Sequence, residues 1–251
     1  MSPRILLALL ALSVALPACA DEPTAARRRN PWVRFNPGAW KRMRIRKETY
    51  NREGAISVSS LEETKTQLKQ AEEKSFTLDL MSQVSLAGED LAPRSKQVAL
   101  TYYGTPVDLQ PTVQVLEDTV KVEVEGGEVA CRVVVVEANS ETQLRTTKLF
   151  LDGDMVLRQE SVVTNPRENA VAARSTSNVV ARNLMHNVLG EQRTMYITYT
   201  LTRRTDSIIH AWEHHCPQVP GGLIQGWTKV TDLEGNLQER IVMELVDFGA
   251  P

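Results

Sequence analysis

The sequence predicts a mainly β protein: a curved antiparallel sheet or half-open barrel built from repeated hairpins, with few short helices. Three observations predict it. Apolar and polar residues alternate at period two through much of the chain, glycine-centred turns recur between the alternating runs, and a faint internal repeat reproduces one long hairpin.

The chain opens with MSPRILLALLALSVALPACA, where Arg4 precedes an apolar run from Ile5 to Leu16 and small residues follow it. This is the layout of a secretory signal peptide, residues 1–20, and its apolar run is too short to span a bilayer. Two processing sites overlap. Leu16-Pro17-Ala18-Cys19 resembles the bacterial lipoprotein box, which assigns Cys19 as a lipidation site, whereas Ala18-Cys19-Ala20 fits the A-x-A rule of ordinary cleavage. Pro17 stands where that box usually has a smaller residue. Under the lipoprotein resemblance, Ala20 in place of aspartate after the cysteine implies the outer membrane. Acyl chains on Cys19 would anchor the protein to the membrane. The alternative is a periplasmic or secreted protein.

Residues 21–37 read as a tether. Its basic tract ARRRNPWVR (26–34) is a solvated tail or a contact for anionic headgroups. Residues 38–251 then form a single β-rich domain of about three hairpin units. Without the first 20 residues the chain has 28 Lys and Arg against 31 Asp and Glu, a formal charge of −3. That balance argues against nucleic acid as a partner, which calls for a basic face.

Turn chemistry divides the domain. The stretches Asn51 to Gly54, Gly126-Gly127, Asp152-Gly153-Asp154 and Glu234-Gly235-Asn236 each separate strand-like runs. Segment 59–75 has helix-forming composition and a capping-box pattern at Ser60 and Glu63, yet Thr64, Thr66 and Leu68 alternate; it is read as a strand. Val120, Val122 and Val124 alternate with Lys121, Glu123 and Glu125, as in a half-exposed strand. Cys131 to Val136 is apolar on both faces and suits a covered central strand. Segment 166–188 holds neither period cleanly and reads as a crossover with short helical turns. Met195, Ile197, Tyr199 and Leu201 resume the alternation. The run after Gly127 can be laid on the run after Gly190, matching Phe150 with Trp212, with a weaker copy from Trp40.

The stretch from Ile208 to Trp227 carries the densest set of unusual side chains. Trp212, Pro220, Gly221, Gly222 and Trp227 form a candidate ligand loop, or a packed and tightly shaped turn. His214 and Cys216, two apart in a strand, share a face and could chelate a metal; in a helix His210 and His214 could do so instead. His210 would sit about 13 Å from His214 at roughly 3.3 Å per residue. Ala211 occupies the place that glutamate holds in the HExxH zinc signature. Cys131 and Cys216 form a candidate disulfide in an oxidising compartment, or two separately buried thiols. Asp152 and Asp154 lack the rest of a calcium loop. No nucleophile elbow, phosphate loop or dinucleotide fingerprint is present, so no catalytic residue and no cofactor is assigned.

The lipobox-like signal, the repeated hairpins, Gly38 and Trp40 at the domain's start, and the Val219 to Gly222 turn resemble uncharacterised bacterial secreted proteins whose sheets are similar to the LolA and LolB lipoprotein carriers. The resemblance implies a half-open antiparallel barrel with helices closing over an apolar, acyl-binding cavity. No segment here reads as such a lid helix, and no family site residue maps onto a particular position. The expectation is an exported, membrane-anchored, non-enzymatic protein that binds an acyl-chain ligand or an envelope protein. The alternatives are an interaction module without ligand, or a metal protein or enzyme centred on His214 and Cys216.

Overall fold

A computed structural model describes residues 26, 30–109, 111–168 and 170–251. The expected signal segment with Cys19 lies outside these residues, as do tether residues 21–25 and 27–29. Among the described residues, every secondary-structure element of more than one residue beyond turns is a strand. The order is β1 (Trp40–Tyr50), β2 (Ile56–Ala71), β3 (Ser75–Leu86), β4 (Glu89–Asp90), β5 (Arg94–Thr101), β6 (Thr112–Val124) and β7 (Gly127–Asn139). There follow β8 (Leu144–Asp152), β9 (Met155–Asn165), β10 (Ala170–Val188), β11 (Glu191–Arg204), β12 (Ile208–His215), β13 (Leu223–Thr231) and β14 (Leu237–Gly249).

All pairings are antiparallel and belong to one sheet, ordered β4-β3-β2-β1-β14-β13-β12-β11-β10-β9-β8-β7-β6, with β5 beside β3. This is the neighbour order of an up-and-down barrel whose first and last strands are paired and whose seam is open between β5 and β6. The connection across that seam requires curvature. Laid flat at about 4.8 Å per strand, the twelve spacings from β5 to β6 would cover ~58 Å, whereas the chain from Thr101 to Thr112 reaches ~40 Å at most. Packing shows the same curl: Val122 and Val124 of β6 share a buried cluster with Leu157 of β9 and Val179 of β10.

Turn chemistry sets the hairpins. Between β6 and β7 the two loop residues Glu125 and Gly126 both have positive φ, 54° and 76°. That is the pattern of a type I′ turn, whose twist matches the strands it joins. The expected turns at 51–54, 152–154 and 234–236 also join consecutive strands. Two more tight turns, Ala87-Gly88 and Leu189-Gly190, were not singled out in the sequence.

Segment 59–75 is strand through Ala71, within β2. The expectation for 166–188 is corrected: from Ala170 it is β10, a strand of 19 residues paired on both sides. Register shifts at Val179/Ala181 and Ala181/Leu184, with positive φ at Asn183, explain why no period was clean there. Each bulge inserts an unpaired residue and moves later side chains to the other face.

Four buried clusters hold the sheet. Strand β7 is covered on both faces, as its composition requires: Cys131 and Val133 enter one cluster, Val134 and Val136 another. It is, however, next to the edge strand β6 rather than central. Leu68, Phe76, Leu78 and Tyr102 form a third, against which Trp32 and Val33 of the N-terminal segment pack. Cys216, Val219 and Ile224 form a fourth with Val188 and Met195.

Candidate functional site

The inner face of the curl can be followed across five strands. Thr198, Glu213, Gly226, Met243 and Ile45 are successive cross-strand partners in β11, β12, β13, β14 and β1, so they share one face. Lys41 and Met43 of β1 are buried, while Arg42 and Arg44 between and beyond them are not. The period-two pattern that makes each strand half-buried thus places this polar group inside.

A compact hydrogen-bonded cluster sits there. His215 Nε2 lies 3.2 Å from Thr198 Oγ1 and 3.2 Å from Glu213 Oε2. The His215 ring stacks on Tyr196, with centroids 5.0 Å apart and planes inclined by 14°. Lys41 is 7 % exposed, and its Nζ donates to the Leu223 carbonyl at 3.3 Å and lies 5.6 Å from the Trp32 ring centre. Burial lowers the Lys41 pKa to about 8, against the opposing pull of the Glu213 charge. The hydrogen bond from His215 holds the Glu213 carboxyl below its ordinary range despite burial. Burial raises the Tyr196 phenol above its ordinary range, the nearby Arg34 charge opposing.

Two concavities meet at this cluster. The larger, ≈ 450 Å³, is lined by Met155, Val156, Met195 and Tyr196 together with the charged residues Arg34, Asp152, Asp154 and Arg182. The smaller, ≈ 200 Å³, shares Val156 and Tyr196 with it and is further lined by Gln159, Ser177, Thr198, Glu213 and His215. Both therefore mix apolar with polar and charged side chains. Tyr103 of the β5–β6 connection packs against both the cluster around Leu68 and the cluster around Val134, and Trp32 and Val33 pack against the former.

The candidate loop residues separate into two environments. Pro220 is fully buried, and Gly221 donates its N–H to the Pro31 carbonyl at 3.1 Å. Gly221 has φ +71°, and a Cβ there would lie 2.6 Å from Trp32 Cε2, so the turn is shaped to receive the Trp32 indole. Trp212 and Trp227 are direct cross-strand partners, their rings stacked with centroids 5.9 Å apart, and Tyr199 extends the row. This row lies on the outer face, and Trp227 is 43 % exposed. The loop glycines and the tryptophans therefore do not converge on one ligand.

Two cysteine-based expectations concern this region. Cys131 and Cys216 are both free and fully buried in separate clusters, 0 % exposed, so the structure contains no disulfide between them. Among the described residues, no three His, Cys, Asp or Glu side chains converge to hold a metal. His214 and Cys216 lack a third ligand because Cys216 has left the strand: its N–H bonds the Gly222 carbonyl and its thiol faces Gln218. His214 instead meets His186 edge-on at 6.2 Å, and burial lowers its pKa, with the His186 and His215 charges adding to the effect. The inner residues Lys41, Tyr196 and Glu213 were missed by motif reasoning. Their signal was weak: a charged or phenolic side chain at an inward position of an alternating strand.

No family model matches this chain, and no curated protein matches it. Solved structures similar to it include a protein with YmcC-like fold from Bacteroides fragilis, at 9 % identity and TM-score 0.31, covering 86 % of this chain and 98 % of that one. A DUF1329 family protein from Desulfovibrio piger aligns at 8 % identity and TM-score 0.39, covering 91 % of each chain. A domain from Vibrio parahaemolyticus, provisionally described as an outer membrane lipoprotein-sorting protein, aligns at 11 % identity and TM-score 0.37, again over 91 % of each.

Proposed function

We propose that this chain is an exported, non-enzymatic envelope protein that receives an acyl chain on the concave face of its open barrel, tethered to the membrane through Cys19. The observation that carries this is the ≈ 450 Å³ concavity, in which Met155, Val156 and Met195 form an apolar strip beside Arg34, Asp152, Asp154 and Arg182. Its size falls within the range of about 300–1,000 Å³ usual for small-molecule sites. The thermodynamics favour a long chain. Micromolar binding needs about −8 kcal/mol beyond an association cost of at least ~4 kcal/mol. At about 0.8 kcal/mol per buried methylene, this calls for roughly fifteen methylenes, the length of a palmitoyl group.

The test is native mass spectrometry of the mature chain, purified without detergent and then offered palmitate and 1-monopalmitoylglycerol. A retained lipid, or uptake of either probe that Val156→Trp abolishes, supports the reading. A bare chain that takes up neither overturns it. The tether has a separate test: the wild-type chain should partition into detergent, and Cys19→Ser should not.

The second reading is a docking surface for an envelope protein on the outer face. The observation favouring it is the row Tyr199, Trp212 and half-exposed Trp227, beside a ≈ 410 Å³ groove reaching Val242. Trp227→Ala should then weaken partner cross-linking while leaving palmitate uptake unchanged.

A further inference from the structure

Of the four histidines in the chain, two are committed and two are not, and the uncommitted two are neighbours. His210 Nδ1 is bonded to the Tyr199 hydroxyl at 2.7 Å, and His215 Nε2 to Thr198 and Glu213. His186 and His214 have no hydrogen-bond partner among the described residues, and His214 Nδ1 is buried without one. A buried nitrogen left unsatisfied costs free energy unless something supplies the missing partner. The two rings meet at 6.2 Å between centroids, with planes 89° apart. Imidazoles that each give one nitrogen to a shared ion, at about 2.0–2.1 Å per bond, hold their ring centres roughly 5–6.5 Å apart. Rotation of the rings thus suffices to aim one nitrogen of each at a common point. The lowered pKa of His214 leaves its lone pair free of a proton at neutral pH. His186 also lines a concavity of ≈ 230 Å³ together with Gln225 and Glu244. His214, Gln225 and Glu244 are successive cross-strand partners in β12, β13 and β14 and share a face. At about 4.8 Å per strand, Glu244 stands ~10 Å from His214, within reach of an ion's bound water and not of the ion itself. Its carboxylate has no ion pair among the described residues. The adjoining cations are committed: Arg44, opposite Glu244, pairs with Glu63, and Arg193, opposite His186, pairs with Glu191.

We propose that His186 and His214 form a two-histidine site for a divalent first-row transition ion, with water completing the coordination and the Glu244 carboxylate balancing charge across the concavity. Imidazole nitrogen suits copper, nickel and zinc, whereas Mg²⁺ and Ca²⁺ take oxygen ligands. Two direct ligands agree with the absence, among the described residues, of three converging side chains. His186, on β10, takes the place that the sequence offered to Cys216, so the ion bridges β10 to β12 across the end of β11. The site is independent of acyl binding.

The test is calorimetric titration of Cu²⁺, Ni²⁺, Zn²⁺ and Mg²⁺ into the untagged chain from Asp21 onward at pH 7.5. Wild type should take up one equivalent of the transition ions, Cu²⁺ most tightly, and no Mg²⁺. His186→Gln and His214→Gln should each weaken Cu²⁺ uptake by more than about a hundredfold, beyond the range of outer-shell partners. Glu244→Gln should weaken it by about tenfold, within that range. His210→Gln should leave it unchanged, because that ring is held by Tyr199. Urea unfolding without metal checks that each variant folds, and saturating Zn²⁺ should raise the midpoint of wild type but of neither His186→Gln nor His214→Gln. No uptake by wild type overturns the assignment. So does a histidine variant that loses no more affinity than Glu244→Gln, which would mean an adventitious ion only. Unchanged affinity in Glu244→Gln removes the carboxylate from the site and leaves the histidine pair.

Discussion

Replacing Gly221 by alanine should destabilise the protein by two separable mechanisms, both readable from the turn. Gly221 sits at φ +71°, where an L side chain costs about 1–2 kcal/mol. Its Cβ would also meet Trp32 Cε2, Nε1 and Cζ2 at 2.6, 2.7 and 2.8 Å. Ordinary carbon contacts lie at about 3.5–4.0 Å, so the indole must retreat by about 1 Å and loosen its packing on the cluster of Leu68 and Phe76. Overpacking of that kind costs about 1–3 kcal/mol. The sum is ~3 kcal/mol, or about 6–12 °C in melting temperature for a domain of this size. Equilibrium urea unfolding of the chain from Asp21 onward measures it as a shift of midpoint at constant slope. Gly153→Ala is the control: it has positive φ, 56°, with nothing within 4 Å, so only the backbone cost applies. In a Trp32→Ala background the Gly221→Ala cost should fall to that same backbone value. The reasoning fails if Gly221→Ala costs no more than Gly153→Ala, or if its cost survives the loss of Trp32.

Other consequences are independent of that turn. Lys41 has a folded pKa of about 8 against 10.5 when unfolded, so below pH 8 folding carries the cost of burying its charge. That cost is lost as pH rises from 8 to 10.5, and wild type should gain about 3 kcal/mol over Lys41→Met across this window; parallel stability curves would exclude it. Alkylation of the unfolded chain from Asp21 onward, without reductant, should label both Cys131 and Cys216, whereas an unlabelled pair would restore the disulfide. Leu157→Ala, at 1 % exposure in the cluster that rolls β6 against β10, should cost about 2–5 kcal/mol in urea unfolding. Val120→Ala, 41 % exposed, should stay within ~0.5 kcal/mol; equal costs would mean that β6 does not fold inward as described.

Most of the strand architecture was legible because strands betray themselves locally. Alternation in β6 and β11, the double-faced run Cys131 to Val136 and the Gly126, Gly153 and Gly235 turns each depend on residues within one hairpin. Strand β10 was illegible for an equally local reason: its bulges interrupt the alternation that identifies strands. The site was harder. Glu213 and His215 were visible only as members of a histidine-rich stretch, while Lys41 comes from the far end of the chain, with 171 residues between it and Glu213. His214 and Cys216 are the more conspicuous residue types, yet His214 meets His186 while Cys216 is buried with Val219 and Ile224.

The amino-acid sequence by itself determined an all-antiparallel meander, since side-chain period and turn chemistry are set by neighbours a few residues apart. It also carried the layout of an export signal and the absence of a catalytic motif. Only the tertiary structure decided that β1 pairs with β14 while the seam opens between β5 and β6, and that the N-terminal segment clamps the Pro-Gly-Gly turn through Trp32. It likewise decided that the two cysteines part into separate cores and that Lys41, Glu213, His215 and Tyr196 meet inside the curl. The reason is physical: strand pairing across the whole chain, and which face a curved sheet encloses, depend on packing between distant segments, to which no local pattern is sensitive.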